Sequence, residues 1–144
     1  MRVYIAAPYA ARKQALAYAQ DLCGLGFDVT SSWVNEDHEI GPGTTGAAPA
    51  LSDDEAGRHA ATDLDDVDRA DVLVLLTAGS EGAEDGGGRH VATGYALAEG
   101  KWVVVVGEAE NIFHRVGGYG HLVEVVPNWL AAVGFLVEIQ GEVL

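Results

Sequence analysis

Asp71-Val72-Leu73-Val74-Leu75-Leu76-Thr77 is the stretch whose reading decides the fold. Its apolar run shows no polar alternation, so both faces of the strand are covered, as in the interior of a parallel sheet. A second run of this kind, Trp102 to Val106, follows downstream. Between the two, Arg89 to Glu99 reads as a helix closed by Gly100. Two doubly buried strands joined by a helix require a parallel crossover. Upstream, Ser52-Asp53-Asp54-Glu55 is a capping box, with Ser as N-cap and Glu three residues on, and it opens a helix to about Arg69. Arg2 to Ala6 is a first strand stopped by Ala7-Pro8. Ala10 to Leu25 is a helix stopped by Gly24 and Gly26, and Phe27 to Thr30 is a second strand. At the other end, Leu122 to Val126 is a last strand. Pro127, tolerated in a helix first turn, leads into a helix from Trp129 to Ile139.

This alternation specifies one α/β domain over residues 1–144: a flavodoxin-like (Rossmann-like) five-stranded parallel sheet with helices on both faces. In such sheets a ligand sits outside the C-terminal strand ends, near the switch in strand order. The loops after Ile5, Thr30, Thr77 and Gly107 are therefore the ones to search. Two of them are long. Ser31 to Leu51 lacks periodicity and contains Gly41-Pro42-Gly43-Thr44-Thr45-Gly46, and Gly79 to Gly88 is glycine-rich and acidic.

Composition narrows the chemistry. The 144 residues carry 8 Lys+Arg against 22 Asp+Glu, a formal charge of −14. That argues against a broad surface for nucleic-acid polymers or anionic membranes, though not against one small anion in a local pocket. A single cysteine, Cys23, excludes an internal disulfide and a multi-cysteine metal site. It lies on the apolar side of the first helix, so a core position is expected. No apolar run approaches the ~20 residues of a membrane span. The sequence opens directly on a strand-like segment without a signal peptide, so a cytoplasmic protein is expected. Histidine and carboxylate spacings suit no metal, and neither a nucleophile-elbow serine nor a Walker lysine is present; no metal and no cofactor are expected.

The loops at the ligand edge hold Pro8 and Tyr9, then Trp33 and Asn35, then Gly86-Gly87-Gly88-Arg89-His90. The last group sets backbone N–H groups and a helix N-terminus beside a guanidinium, a combination suited to phosphate or carboxylate. A plain connector with a solvated arginine fits the glycines equally well. Asp63 has His59 one turn before it on the same helix face. Its neighbours Asp65, Asp66 and Asp68 form the kind of cluster that is usually a solvated face. Trp33 and Tyr9 are of types that more often pack than stack on bases.

Four stretches give the chain a family likeness: Val3-Tyr4-Ile5-Ala6-Ala7-Pro8, Asp63-Leu64 through Ala70-Asp71-Val72-Leu73-Val74, Gly88-Arg89-His90-Val91-Ala92-Thr93-Gly94-Tyr95-Ala96-Leu97-Ala98-Glu99-Gly100-Lys101, and Glu110-Asn111-Ile112-Phe113-His114. With these, in this order, the sequence resembles the nucleoside 2-deoxyribosyltransferases and their nucleotide N-glycosidase relatives. Gly-Tyr-Ala-Leu-Ala-x-Gly-Lys is the most specific piece. The resemblance implies cleavage or transfer at the N-glycosidic bond of a nucleoside 5′-monophosphate or nucleoside. In that chemistry a glutamate attacks the anomeric carbon, and water or a second base resolves the glycosyl-enzyme. The family's glutamate lies two residues before Gly-Tyr-Ala, and here that position is Ala92.

Alanine has no lone pair to offer, so the resemblance implies a disabled site at residue 92. A Glu→Ala form of an enzyme, a non-catalytic nucleotide sensor or sequestering protein, and substitution by Glu81, Glu84 or Asp85 of the adjacent loop all remain open. Glu99 lies on the same helix face but ~10 Å farther along. By position, Tyr4 matches the tyrosine that orients the nucleophile. Asp63 matches the aspartate that contacts the base and assists its departure by proton transfer. Pro8, Tyr9 and Trp33 are expected to line the substrate pocket. Gly86, Gly88 and Arg89 suit a 5′-phosphate. Asn111 and Phe113 match a segment reaching the neighbouring subunit's site, which implies a homodimer or higher homo-oligomer; a simple turn is the other reading of Asn111.

Overall fold

A computed structural model of the chain describes residues 1–36, 52–77 and 87–143. In chain order the elements are β1 (Arg2–Ala6), α1 (Arg12–Gly24), β2 (Asp28–Val29), α2 (Asp53–Arg69), β3 (Val72–Leu76), α3 (Gly88–Ala98), β4 (Trp102–Val106), β5 (Val123–Val126) and α4 (Trp129–Val143). Short 3₁₀ turns occupy Tyr9–Ala11, Ser32–Asn35 and Ile112–Arg115. All five strands are parallel, in the order β2-β1-β3-β4-β5, as expected of a flavodoxin-like sheet.

The stretch that decided the fold lies at the centre. Every residue of β3 is buried, and it pairs β1 from Val3↔Val72 to Ala6↔Leu75 and β4 from Val72↔Trp102 to Leu76↔Val106. Right-handed crossovers place α1 on one face and α2 and α3 on the other, because the chain reverses its direction across the sheet after β2. The helix contacts agree. α2 and α3 pack on each other and on β1. On the opposite face Tyr18 of α1 stacks on Trp129 of α4 at 4.0 Å, and Trp129 Nε1 donates to Asp21 at 3.1 Å. The switch in strand order falls between β1 and β3, so the crevice at their C-terminal ends is the place to look for a ligand.

Several expectations change at the edges. Cys23 is exposed rather than in the core. α1 buries the stripe Ala15, Ala19 and Leu22, and the next residue turns about 100° away from it. The first helix is shorter than its apolar pattern, because its opening turn is 3₁₀. The second strand shrinks to Asp28–Val29, since Phe27 dips into the core, although Thr30 N still donates to Val3 O at 2.8 Å. Pro127 precedes α4 rather than opening its first turn: Asn128 caps the helix by accepting from Ala131 N at 2.9 Å. α4 runs past Ile139 to Val143. The capping box is formed as read, with Ser52 Oγ accepting from Glu55 N at 3.2 Å. Among the described residues no helix is long and apolar enough to cross a membrane, and no group of three or more His, Cys, Asp or Glu could hold a metal ion.

Candidate functional site

The β1–β2 ladder ends early, which leaves the N–H and C=O of Ile5 without a strand partner on that side. Side chains from the following loop take over. Ile5 N donates to Ser31 Oγ at 3.1 Å, and Trp33 Nε1 donates to Ile5 O at 2.7 Å. Trp33 is thereby buried and fixed as a wall beside the end of β1. Tyr9 and Arg12 hold the same loop by its main chain: Tyr9 Oη donates to Glu36 O at 3.0 Å and Arg12 Nη1 to Val34 O at 3.2 Å. Pro8 is buried and accepts from Ala11 N at 2.9 Å, turning the chain out of β1. Of the pocket residues expected from the sequence, Pro8, Tyr9 and Trp33 thus build one connected wall.

Tyr4 is buried on β1 and faces α2, where Asp63 and Asp66 lie. Burial, followed by the charges of Asp63, Asp66 and Glu36, pushes its hydroxyl far above the ordinary tyrosine range, so it stays protonated and acts as a donor. Asp63 is half-buried. Burial first, then Glu36 and Asp66, raise its carboxyl to about 6 against the opposing effect of His59. Near that pH it gives up and takes back a proton readily. Among the described residues neither the Tyr4 hydroxyl nor the Asp63 carboxyl makes a hydrogen bond. His59 Nδ1 lies 3.5 Å from Glu36 Oε1, while Glu36 Oε2 is buried without a partner.

The acidic cluster is not a uniformly solvated face. Asp66 is buried and takes Ser32 N at 3.0 Å, Ser32 Oγ at 2.6 Å and Arg69 Nη2 at 2.5 Å. Asp65 and Asp68 stay exposed, as that reading expects.

Across the switch point stands the N-terminus of α3. Gly87 caps it with φ +80°, a left-handed backbone that favours glycine, and Gly88 is exposed. Arg89 turns inward: its guanidinium pairs with the Glu110 carboxylate, and its side chain is 7% exposed. Beside it the rings of His90 and His114 lie 5.9 Å apart. His114 Nδ1 accepts from Glu110 N at 2.9 Å, which puts the neutral ring's proton on Nε2. Among the described residues that Nε2 and His90 Nδ1 are buried without partners. Burial, then His90, Arg89 and Arg115, lower the His114 pKa against the pull of Glu110.

Ala92 sits in the second turn of α3, buried, with Thr93 Oγ1 closing onto Arg89 O at 2.7 Å beside it. Asn111 is a turn residue here, its Oδ1 accepting from Phe113 N at 2.9 Å, while Phe113 stays 60% exposed. Gly86, Glu81, Glu84 and Asp85 lie outside the described residues, as does the loop from 37 to 51.

Sequence reading missed Glu36, the tether at Asp66, and the Arg89–Glu110 and His90–His114 pairs. Asp66 had a signal, since it follows Asp63 by one turn on the face that covers Tyr4. Glu36 had none, because only the folded loop carries it to α2.

No protein-family model matches the sequence, and no curated protein does. Solved structures share the fold. A 2-deoxyribosyltransferase from Bacillus psychrosaccharolyticus aligns with a TM-score of 0.61 at 20% identity, covering 92% of this chain and 90% of its own. A conserved protein from Enterococcus faecalis aligns at 0.57 and 18%, covering 93% and 95%. The CMP N-glycosidase of Clostridium botulinum aligns at 0.53 and 19%, covering 88% of each chain. These likenesses establish a single-layer parallel α/β sheet of the same architecture.

Proposed function

We propose that the chain binds a nucleoside or nucleoside 5′-monophosphate at the C-terminal edge of β1 and β3, with the N-glycosidic bond between Asp63 and Ala92. The observation that carries this reading is the juxtaposition of buried Tyr4 on β1 with Asp63 on α2. A buried donor and a carboxyl raised to about 6 stand at the switch point with no hydrogen-bond partner among the described residues. A carboxyl of that acidity can protonate a departing heterocycle, which otherwise leaves poorly as an anion. Two neighbours, one named a CMP N-glycosidase and the other a 2-deoxyribosyltransferase, support the class of ligand.

Cleavage needs a nucleophile on the opposite side of the sugar. With alanine at 92 an ester to that residue cannot form, so the chain as written binds without turning over by that route. Arg89 already pairs with Glu110, so a phosphate there would share a guanidinium that has a partner rather than occupy an open site. A nucleotide sensor or sequestering protein is the second reading. It is favoured by this same alanine and differs only in what Ala92→Glu does.

The test is chromatographic detection of free base after incubating the chain and its Ala92→Glu form with ribo- and deoxyribonucleosides and their 5′-monophosphates. Release by the Glu form alone identifies a disabled enzyme and its substrate. Release by neither, with binding retained, identifies the sensor. Release by both moves the nucleophile away from residue 92.

A further inference from the structure

We propose that Asp66 is the positioning residue of the site at Tyr4 and Asp63: it ties the Trp33 wall to α2 and sets its buried charge beside the hydroxyl and the carboxyl that would meet the uncharged atoms of a heterocycle. The inference rests on the ligand class proposed above. Its core is geometric. Asp66 is 2% exposed, and its carboxylate receives three donors, the Ser32 N–H, the Ser32 hydroxyl and the Arg69 guanidinium. Its own carbonyl accepts Thr30 Oγ1 at 2.8 Å. One residue thus holds the chain on both sides of Ser31, whose hydroxyl accepts from Ile5 N, and fixes the wall that ends in Trp33.

Three donors suit an ionised carboxylate, and a charge there acts on both groups of the pair. The groups facing Asp63 among the described residues are Tyr4 from β1, Glu36 from the loop after β2, and His59 and Asp66 from α2. Three of these five groups, counting Asp63 itself, are carboxylic. A ligand anion is therefore repelled at this spot, whereas a ring nitrogen or carbonyl can accept a proton or a hydrogen bond.

The experiment follows the Asp63 carboxyl by carbon NMR across pH in the whole chain, without ligand. Asp66→Asn, which preserves shape, is expected to lower the Asp63 midpoint by roughly half a unit. Arg69→Ala, which removes the exposed cation that compensates Asp66, is expected to raise it. Ser32→Ala weakens the tether and leaves the midpoint in place. A purely structural residue would move stability in all three and the midpoint in none, which overturns the proposal. So does a shift of the same sign in both the Asp66 and Arg69 variants. If Asp66→Asn does not fold, the sign of the Arg69→Ala shift decides. A separate titration of the wild type with nucleoside 5′-monophosphates tests the ligand reading: absence of binding there sinks that reading and leaves the midpoint result standing.

Discussion

The two banks of the crevice handle charge in opposite ways. On the α2 bank, Asp63 and Glu36 lie near buried Tyr4 and Asp66, a crowd of like charges opposed by His59 and Arg69. On the α3 bank, the inward Arg89 guanidinium is matched by Glu110, and the His90 and His114 rings lie tilted beside it. Crowded like charges raise a carboxyl's pKa and let it hold and release a proton near pH 6, whereas matched pairs hold a backbone in place. On the proposed reading the α2 bank acts on the ligand, and the α3 bank sets where residue 92 stands.

Breaking the matched bank should cost most. Glu110→Ala removes both the Arg89 partner and, through altered local packing, support for His114; a loss of roughly 2 kcal/mol in denaturant stability is expected. An unchanged midpoint would show that this bank is not held by the pair. On the other bank, Trp33→Phe keeps the ring but leaves Ile5 O without its donor, with an expected cost of about 1 kcal/mol by the same measurement. Gly87→Ala places a β-carbon on a φ +80° backbone and is expected to cost about 1 kcal/mol; the Cβ itself meets open space, so strain is the whole effect.

The smallest prediction sharpens the comparison rather than breaking it. Asp63 binds its proton more tightly when folded, about 6 against an ordinary 3.8, so the native state holds more protons between those values. Stability should then fall as pH rises from about 4 to about 6 and level off above, on this residue's account. In Asp63→Asn that descending component should be absent from thermal melts across the same range. A slope retained unchanged would assign it to another group.

The sheet was legible because β3 and β4 carry their burial in composition alone: an unbroken apolar run admits few other environments. β2 was less so. Its pairing ends where Ser31 and Trp33 replace strand hydrogen bonds, and side-chain substitution for a ladder has no periodic trace. Tyr4, Asp63 and Ala92 were named by resemblance alone, and the fold sets Tyr4 on β1 against the helix that carries Asp63. Arg89 looked like a free phosphate ligand because its partner, Glu110, lies on a different element, beyond a whole strand. Asp66 resembled its exposed neighbours because sequence proximity to Asp65 and Asp68 hides a turn of about 100° per residue, which is enough to send one acid inward and two outward.

The most direct test is a methyl spectrum of alanine-labelled chain titrated with a nucleoside 5′-monophosphate or its nucleoside, read together with the Asp63 carboxyl. The account predicts saturable shifts of the Ala92 methyl and the Asp63 carboxyl at one common midpoint, because the proposed function sets the glycosidic bond between them. Saturable binding that leaves both signals in place would contradict it and put the ligand elsewhere on the fold.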